Sequence, residues 1–179
     1  MTVLVIGGSG SGKSAYAEQL ALHLAGQAPR FYLATMQVWD EECRARIRRH
    51  RAQRAGRDFV TLEQPRNLAA LSEKALDKSG TILLEDLGNL AANELYSLGA
   101  DSRSARQNIL AGIGHLALHS RHLVVVSNEV GTGGLDYGGE TQRYLRLLGQ
   151  LHQEIGRQAD AVCEVTGGLP LYYKGGEPE

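Results

Sequence analysis

Residues 7–14 read Gly7-Gly8-Ser9-Gly10-Ser11-Gly12-Lys13-Ser14, which satisfies the pattern G-x-x-x-x-G-K-[ST]. The spacing has a physical reason. Glycines let a short loop wrap a phosphate so that successive backbone N–H groups point inward, and the helix that follows adds its dipole. Lys13 would reach the terminal phosphate oxygens, and the Ser14 hydroxyl would coordinate Mg²⁺. The chain has 15 Arg and four Lys, so a lysine at this position stands out. The alternative is a glycine-rich turn that matches by chance, but an apolar run before it and a helical pattern after it favour nucleotide phosphate binding.

A cradle of this kind needs an acidic group at the end of a neighbouring strand. Ile82-Leu83-Leu84-Glu85-Asp86 supplies two candidates, and strand ends in open α/β sheets are where ligands sit. A second constellation spans residues 40–55. Asp40 is suited to cap a helix, Glu41 and Glu42 favour its first turn, and Arg fills the later turns. Cys43, Ile47, His50 and Arg54 would share one face. The residues alone allow a solvated basic face with His50 as a spectator. They equally allow a nucleophilic imidazole kept neutral by dense arginine. A nucleic-acid patch is disfavoured by the scarcity of interleaved aromatics.

The elements that must position these groups are legible from periodicity. Residues 2–6, 31–35, 59–63, 81–84, 122–127 and 161–165 read as short strands, and Tyr172 and Tyr173 as part of an edge strand. Runs such as Leu123-Val124-Val125-Val126 lack polar alternation, which indicates strands covered on both faces of a parallel sheet. Residues 13–24, 40–55, 67–78, 103–119 and 140–158 carry helical patterns. The expected fold is therefore α/β, with a largely parallel central sheet flanked by helices. One P-loop domain over residues 1–174 and a flexible tail at 175–179 complete the organisation.

Composition bounds the function. The net charge is −1 over 179 residues, which argues against a long polyanion as partner. Residues 44–57, however, hold seven Arg and no acid, enough local charge for a short polyphosphate. Cys43 and Cys163 are far apart and form no CxxC pair, so no zinc knuckle is expected. Two thiols in a chain of this length, with no apolar run of membrane-spanning length, point to a cytoplasmic protein. His115, His119 and His122 suggest no third metal ligand and read as surface histidines. Trp39 reads as a packed aromatic at a helix start.

Several segments together resemble the adenosylcobinamide kinase / adenosylcobinamide-phosphate guanylyltransferase family of cobalamin biosynthesis. They are residues 7–14 with Ala17-Glu18, Ala34-Thr35, Asp40-Glu41-Glu42, Arg46-Ile47 with His50-Arg51, Asn128-Glu129-Val130-Gly131, and Gly168-Leu169-Pro170 with Lys174. The resemblance implies a P-loop fold and a bifunctional enzyme. It would phosphorylate the aminopropanol hydroxyl of adenosylcobinamide with ATP or GTP. It would then transfer GMP from GTP to adenosylcobinamide phosphate through a histidine–GMP intermediate. The resemblance makes His50 the nucleophile. Lys13 and Glu85 become catalytic, and Ser14 and Glu85 become ligands of Mg²⁺. The nucleotide-binding set it implies is Gly7, Gly8, Ser9, Gly10, Ser11, Gly12, Lys13, Ser14, Ala34, Thr35, Arg51, Arg54, Glu63 and Glu85. It also implies a homotrimer with sites near subunit boundaries; from the residues themselves, no nucleic-acid partner is expected.

The chain departs from the family pattern in places. Asp86 and Gly88 stand where Cys and Thr are usual. Leu145-Arg146 replaces Arg-Asp, His152-Gln153 replaces Asn-Gln, and residues 133–139 replace an Ile-Val-Pro-like segment. The alternatives are a P-loop small-molecule kinase without the second step, and a nucleotide-dependent binding protein that docks through its arginine helix.

Overall fold

The fully apolar runs become the middle of one sheet. The computed structural model describes residues 1–37, 56, 58–130 and 137–178. The strands are β1 (Thr2–Gly7), β2 (Arg30–Ala34), β3 (Phe59–Glu63), β4 (Thr81–Glu85), β5 (His122–Asn128), β6 (Ala161–Thr166) and β7 (Leu169–Lys174). They form a seven-stranded sheet in the order β3-β2-β4-β5-β1-β6-β7. β1 to β6 run parallel, and β7 returns antiparallel as a hairpin partner of β6. The register aligns Gly7 with Asn128, Ala34 with Glu85 and Ala34 with Glu63. All the strand ends predicted to bear chemistry therefore lie on one carboxyl edge.

Alternate residues of each strand serve opposite faces, as the twofold period requires. Val3, Val5, Tyr32, Leu83, Val124 and Val126 pack with Ala17, Leu20 and Ala21 of helix α1 (Lys13–Ala25). Leu4, Leu33, Ile82, Leu84, Leu123 and Val125 pack on the other face. There they meet α2 (Leu87–Leu95), α3 (Ser102–Leu118) and α4 (Gly139–Gln158). Asp101 and Ser104 form a reciprocal capping box at the start of α3. The Lys174 ammonium donates to the Gly156 and Arg157 carbonyls at 3.1 and 2.8 Å, so it neutralises the negative end of α4. Among the described residues, no helix is long and apolar enough to cross a membrane.

Two expectations need correction. Residues 67–78 do not form an α-helix but two 3₁₀ turns, Leu68–Ala70 and Glu73–Ala75. Asn67 is left-handed at φ 49, and Leu71 breaks out of the helical region with ψ 125. Tertiary contacts repay the lost regularity. Leu68 fills the space over Gly112, where a Cβ would lie 2.7 Å from the Leu68 Cβ, and His115 Nε2 bonds the Leu71 carbonyl at 3.0 Å. The second correction is α2, which the periodicity reading leaves out. Asp86 caps it by accepting from the Asn89 amide at 2.6 Å, and Leu87, Leu90, Ala91 and Leu95 are its buried stripe. The expected helix at 40–55, with Trp39 and Cys43, lies outside the described residues.

Candidate active site

The glycine-rich loop leaves β1 and enters α1 as its pattern requires. Gly12 sits at φ 89 as the N-cap of α1, a conformation open to glycine and strained for other residues. A Cβ on Gly7 would lie 2.5 Å from Ser11 Oγ and 2.7 Å from the Val165 carbonyl; one on Gly12 would lie 2.9 Å from Gly168 Cα. Neighbouring backbone braces the loop. The Ser11 amide donates to the Gly8 carbonyl at 3.2 Å, the Glu129 amide to Gly7 at 2.9 Å, and the Gly168 amide to Ser11 at 2.8 Å. Lys13 is buried, and its ammonium donates to the Gly8 carbonyl at 3.1 Å. Among the described residues this is its one acceptor, which leaves two ammonium hydrogens for an anion held by the loop.

At the same edge, Thr35 fixes the end of β4. The buried Thr35 hydroxyl donates to the Asp86 carbonyl and accepts from the Asp86 amide, both at 2.8 Å. The Thr35 amide donates to the Glu85 carbonyl at 3.1 Å, and the Glu85–Asp86 peptide is cis. The Asp86 carboxylate accepts from the Asn89 amide, from Asn89 Nδ2 at 3.0 Å and from Asn128 Nδ2 at 3.3 Å. Desolvation pushes this carboxyl above the usual carboxylate range, opposed by the Asn89 amide and the nearby Lys13 ammonium. Tyr144 reaches in from α4, its hydroxyl donating to the Gly88 carbonyl at 3.4 Å. Burial and the Asp86 carboxylate push its phenol up to about 12.

The predicted residues fall into three groups. Gly7 to Ser14 form the loop and the first turn of α1, while Glu85 ends β4, two strands from β1, and Ala34 and Thr35 stand at the end of β2, three strands away on the same carboxyl edge. Glu63 ends the edge strand β3, four strands from β1 in the sheet order, hence about 19 Å along the sheet at ~4.8 Å per strand. His50, Arg51 and Arg54 lie outside the described residues, as do positions 131–136 of the second glycine-rich loop. Asn89, Asn128 and Tyr144, grouped around Asp86, come together only in the fold. Asn128 and Gly168 had a signal, since both lie in segments that carried the resemblance; Asn89 and Tyr144 had none. His115 and His119 are structural: His119 bonds the His115 carbonyl and Glu73. No group of three or more His, Cys, Asp or Glu able to hold a metal occurs among the described residues.

A family model, CobU, described as cobinamide kinase / cobinamide phosphate guanyltransferase, matches residues 3–173. The chain belongs to this family. A bifunctional adenosylcobalamin biosynthesis protein CobP from Pseudomonas aeruginosa is 36% identical over 177 residues, with 98% of each chain covered. A bifunctional adenosylcobalamin biosynthesis protein CobU from Salmonella typhimurium is 31% identical over 186 residues, covering 97% of this chain and 100% of that protein. The flagellar accessory protein FlaH from Methanocaldococcus jannaschii has a similar fold, with a TM-score of 0.54 at 12% identity. That likeness covers 97% of this chain and 78% of FlaH. CobU membership therefore rests on sequence over nearly the whole chain, and the P-loop α/β architecture on the fold as well.

Proposed function

We propose that the chain is a bifunctional adenosylcobinamide kinase and adenosylcobinamide-phosphate guanylyltransferase. The observation that carries this reading is the family match over residues 3–173 on a chain whose phosphate loop is intact, with Lys13 buried at its end. In the kinase step the loop amides and Lys13 hold the phosphate chain of ATP or GTP. The aminopropanol hydroxyl of adenosylcobinamide attacks the γ-phosphorus, a new P–O bond forms, and the nucleoside diphosphate leaves.

In the second step a His50 ring nitrogen attacks the α-phosphorus of GTP, forming a P–N bond as pyrophosphate leaves. A phosphate oxygen of adenosylcobinamide phosphate then displaces the imidazole, giving adenosylcobinamide-GDP. Arg51 and Arg54 would offset the phosphate charge. Ala34, Thr35, Glu63 and Glu85 complete the nucleotide site. The Ser14 hydroxyl and the Glu85 carboxylate are oxygen donors of the kind that Mg²⁺ prefers, one or two carboxylates together with waters and phosphate oxygens. When bound, the ion would neutralise charge on the phosphates. In this reading the enzyme is a cytoplasmic homotrimer.

The test is incubation with GTP labelled at the α-phosphate, followed by denaturation. Label should remain on the protein, survive alkali, be lost in acid and vanish in His50→Ala. Active wild-type protein that never carries label would overturn the covalent route.

A further inference from the structure

We propose that Tyr144 is an acceptor-positioning residue, its hydroxyl binding the acceptor oxygen on the side of the site opposite the phosphate loop. This inference rests on the function proposed above. Three observations carry it. First, among the described residues the hydroxyl is held loosely, by a 3.4 Å bond to the Gly88 carbonyl, at the limit of hydrogen bonding. An acceptor oxygen at ordinary distance would replace that bond with a better one.

Second, a space is kept for it. Gly88 lies in the first turn of α2, where alanine is the better helix former. Yet a Cβ there would lie 2.9 Å from Tyr144 Oη and 3.2 Å from Asp86 Oδ1. The glycine keeps the phenol and the carboxylate side by side. Asp86 in turn bonds Asn128 on β5, in register with Gly7 of the loop.

Third, the direction is right. Tyr144 packs with the core on the face covered by α2, α3 and α4, whereas the loop feeds α1 on the opposite face. Phosphoryl transfer needs the attacking and leaving oxygens roughly in line. An acceptor in line with a phosphate held by the loop would face it from across the site, and Tyr144 lies on the sheet face away from α1. Tyr96 is close enough to influence the Tyr144 phenol, and with Gln37, Arg66, Asn93 and Ser97 it lines an adjoining cavity of about 360 Å³. These are amide, hydroxyl and guanidinium groups suited to the amide-rich rim of a corrinoid.

Steady-state kinetics with adenosylcobinamide and GTP test the proposal. Tyr144→Phe should raise the KM for adenosylcobinamide about five- to tenfold, the effect of losing one hydrogen bond. The KM for GTP and the yield of α-labelled protein should stay at wild-type values. Gly88→Ala should also raise the acceptor KM, and should add little in the Tyr144→Phe background, because the displaced group is already gone. An unchanged acceptor KM in Tyr144→Phe overturns the proposal. So does a parallel rise in both KM values with a lowered melting temperature, which marks a purely structural role. Wild-type protein that binds GTP but never phosphorylates adenosylcobinamide defeats the proposed function, and this inference with it; that outcome is distinct from an active enzyme indifferent to Tyr144.

Discussion

The Gly168 amide donates a 2.8 Å hydrogen bond to the Ser11 carbonyl, so the turn of the β6–β7 hairpin is bound to the phosphate loop. Gly168 is at φ 81, and its Cα lies 2.9 Å from where a Gly12 Cβ would go. The antiparallel edge hairpin thus acts on a site that belongs topologically to the parallel part of the sheet.

Gly12→Ala is expected to break this arrangement. A residue with a Cβ at φ 89 costs about 1–2 kcal/mol, and the contact with Gly168 adds to it. Thermal unfolding should show a lowered midpoint, and calorimetric titration with GTP an affinity weakened by more than about tenfold. An unchanged GTP affinity would mean that the hairpin does not constrain the loop.

Lys13→Ala should remove nucleotide turnover while leaving the fold intact. Losing one preorganised charge-stabilising donor costs about 10²–10³ in rate, and Gly8, whose carbonyl Lys13 bonds, is half-buried, so water can replace the ammonium. Activity assays beside far-UV circular dichroism check both halves of the statement. Normal turnover would mean that the cradle is misassigned.

Thr35→Val replaces a hydroxyl that makes two 2.8 Å bonds to the Asp86 backbone with a methyl of similar size. The loss should be about 1–3 kcal/mol by urea unfolding, since the Asp86 amide is left unpaired, while the Asp86 carbonyl keeps the Leu90 amide at 3.2 Å. Nucleotide turnover should fall with it because the Glu85–Asp86 strand end is released. A loss below about 0.5 kcal/mol would show that water or other groups satisfy that backbone.

His152 accepts or donates a 2.7 Å bond with the buried Ser127 hydroxyl, and burial holds its imidazole below the ordinary value of 6.5. The sign follows from proton binding. Below pH 6.5 the unfolded chain takes up a proton that the native chain refuses, so stability falls as pH drops through that range. His122 is shifted the same way, chiefly by burial. The melting temperature should decline from pH 7.5 to 5.5, with His152 contributing at most about 1.4 kcal/mol per pH unit. His152→Gln should flatten the decline; an identical slope would assign it elsewhere.

The local code alone determined the phosphate loop, the strand positions and the α/β class. Each depends on spacing over fewer than about ten residues: glycines before a lysine, uninterrupted apolar runs, 3.6-residue stripes. It also carried the family resemblance, because ordered segments along the chain need no tertiary contact to be recognised. Only the fold decided what surrounds Asp86. Asn89, Asn128 and Tyr144 come from α2, β5 and α4, brought together by strand order that short-range periodicity does not encode. The same holds for the 67–78 segment, where packing of Leu68 over Gly112 outweighed a helical pattern worth a few tenths of a kcal/mol per residue. Gly168 follows this rule too: its place in the sequence gives a turn, and its bond to the Ser11 carbonyl sets that turn against the glycine-rich loop.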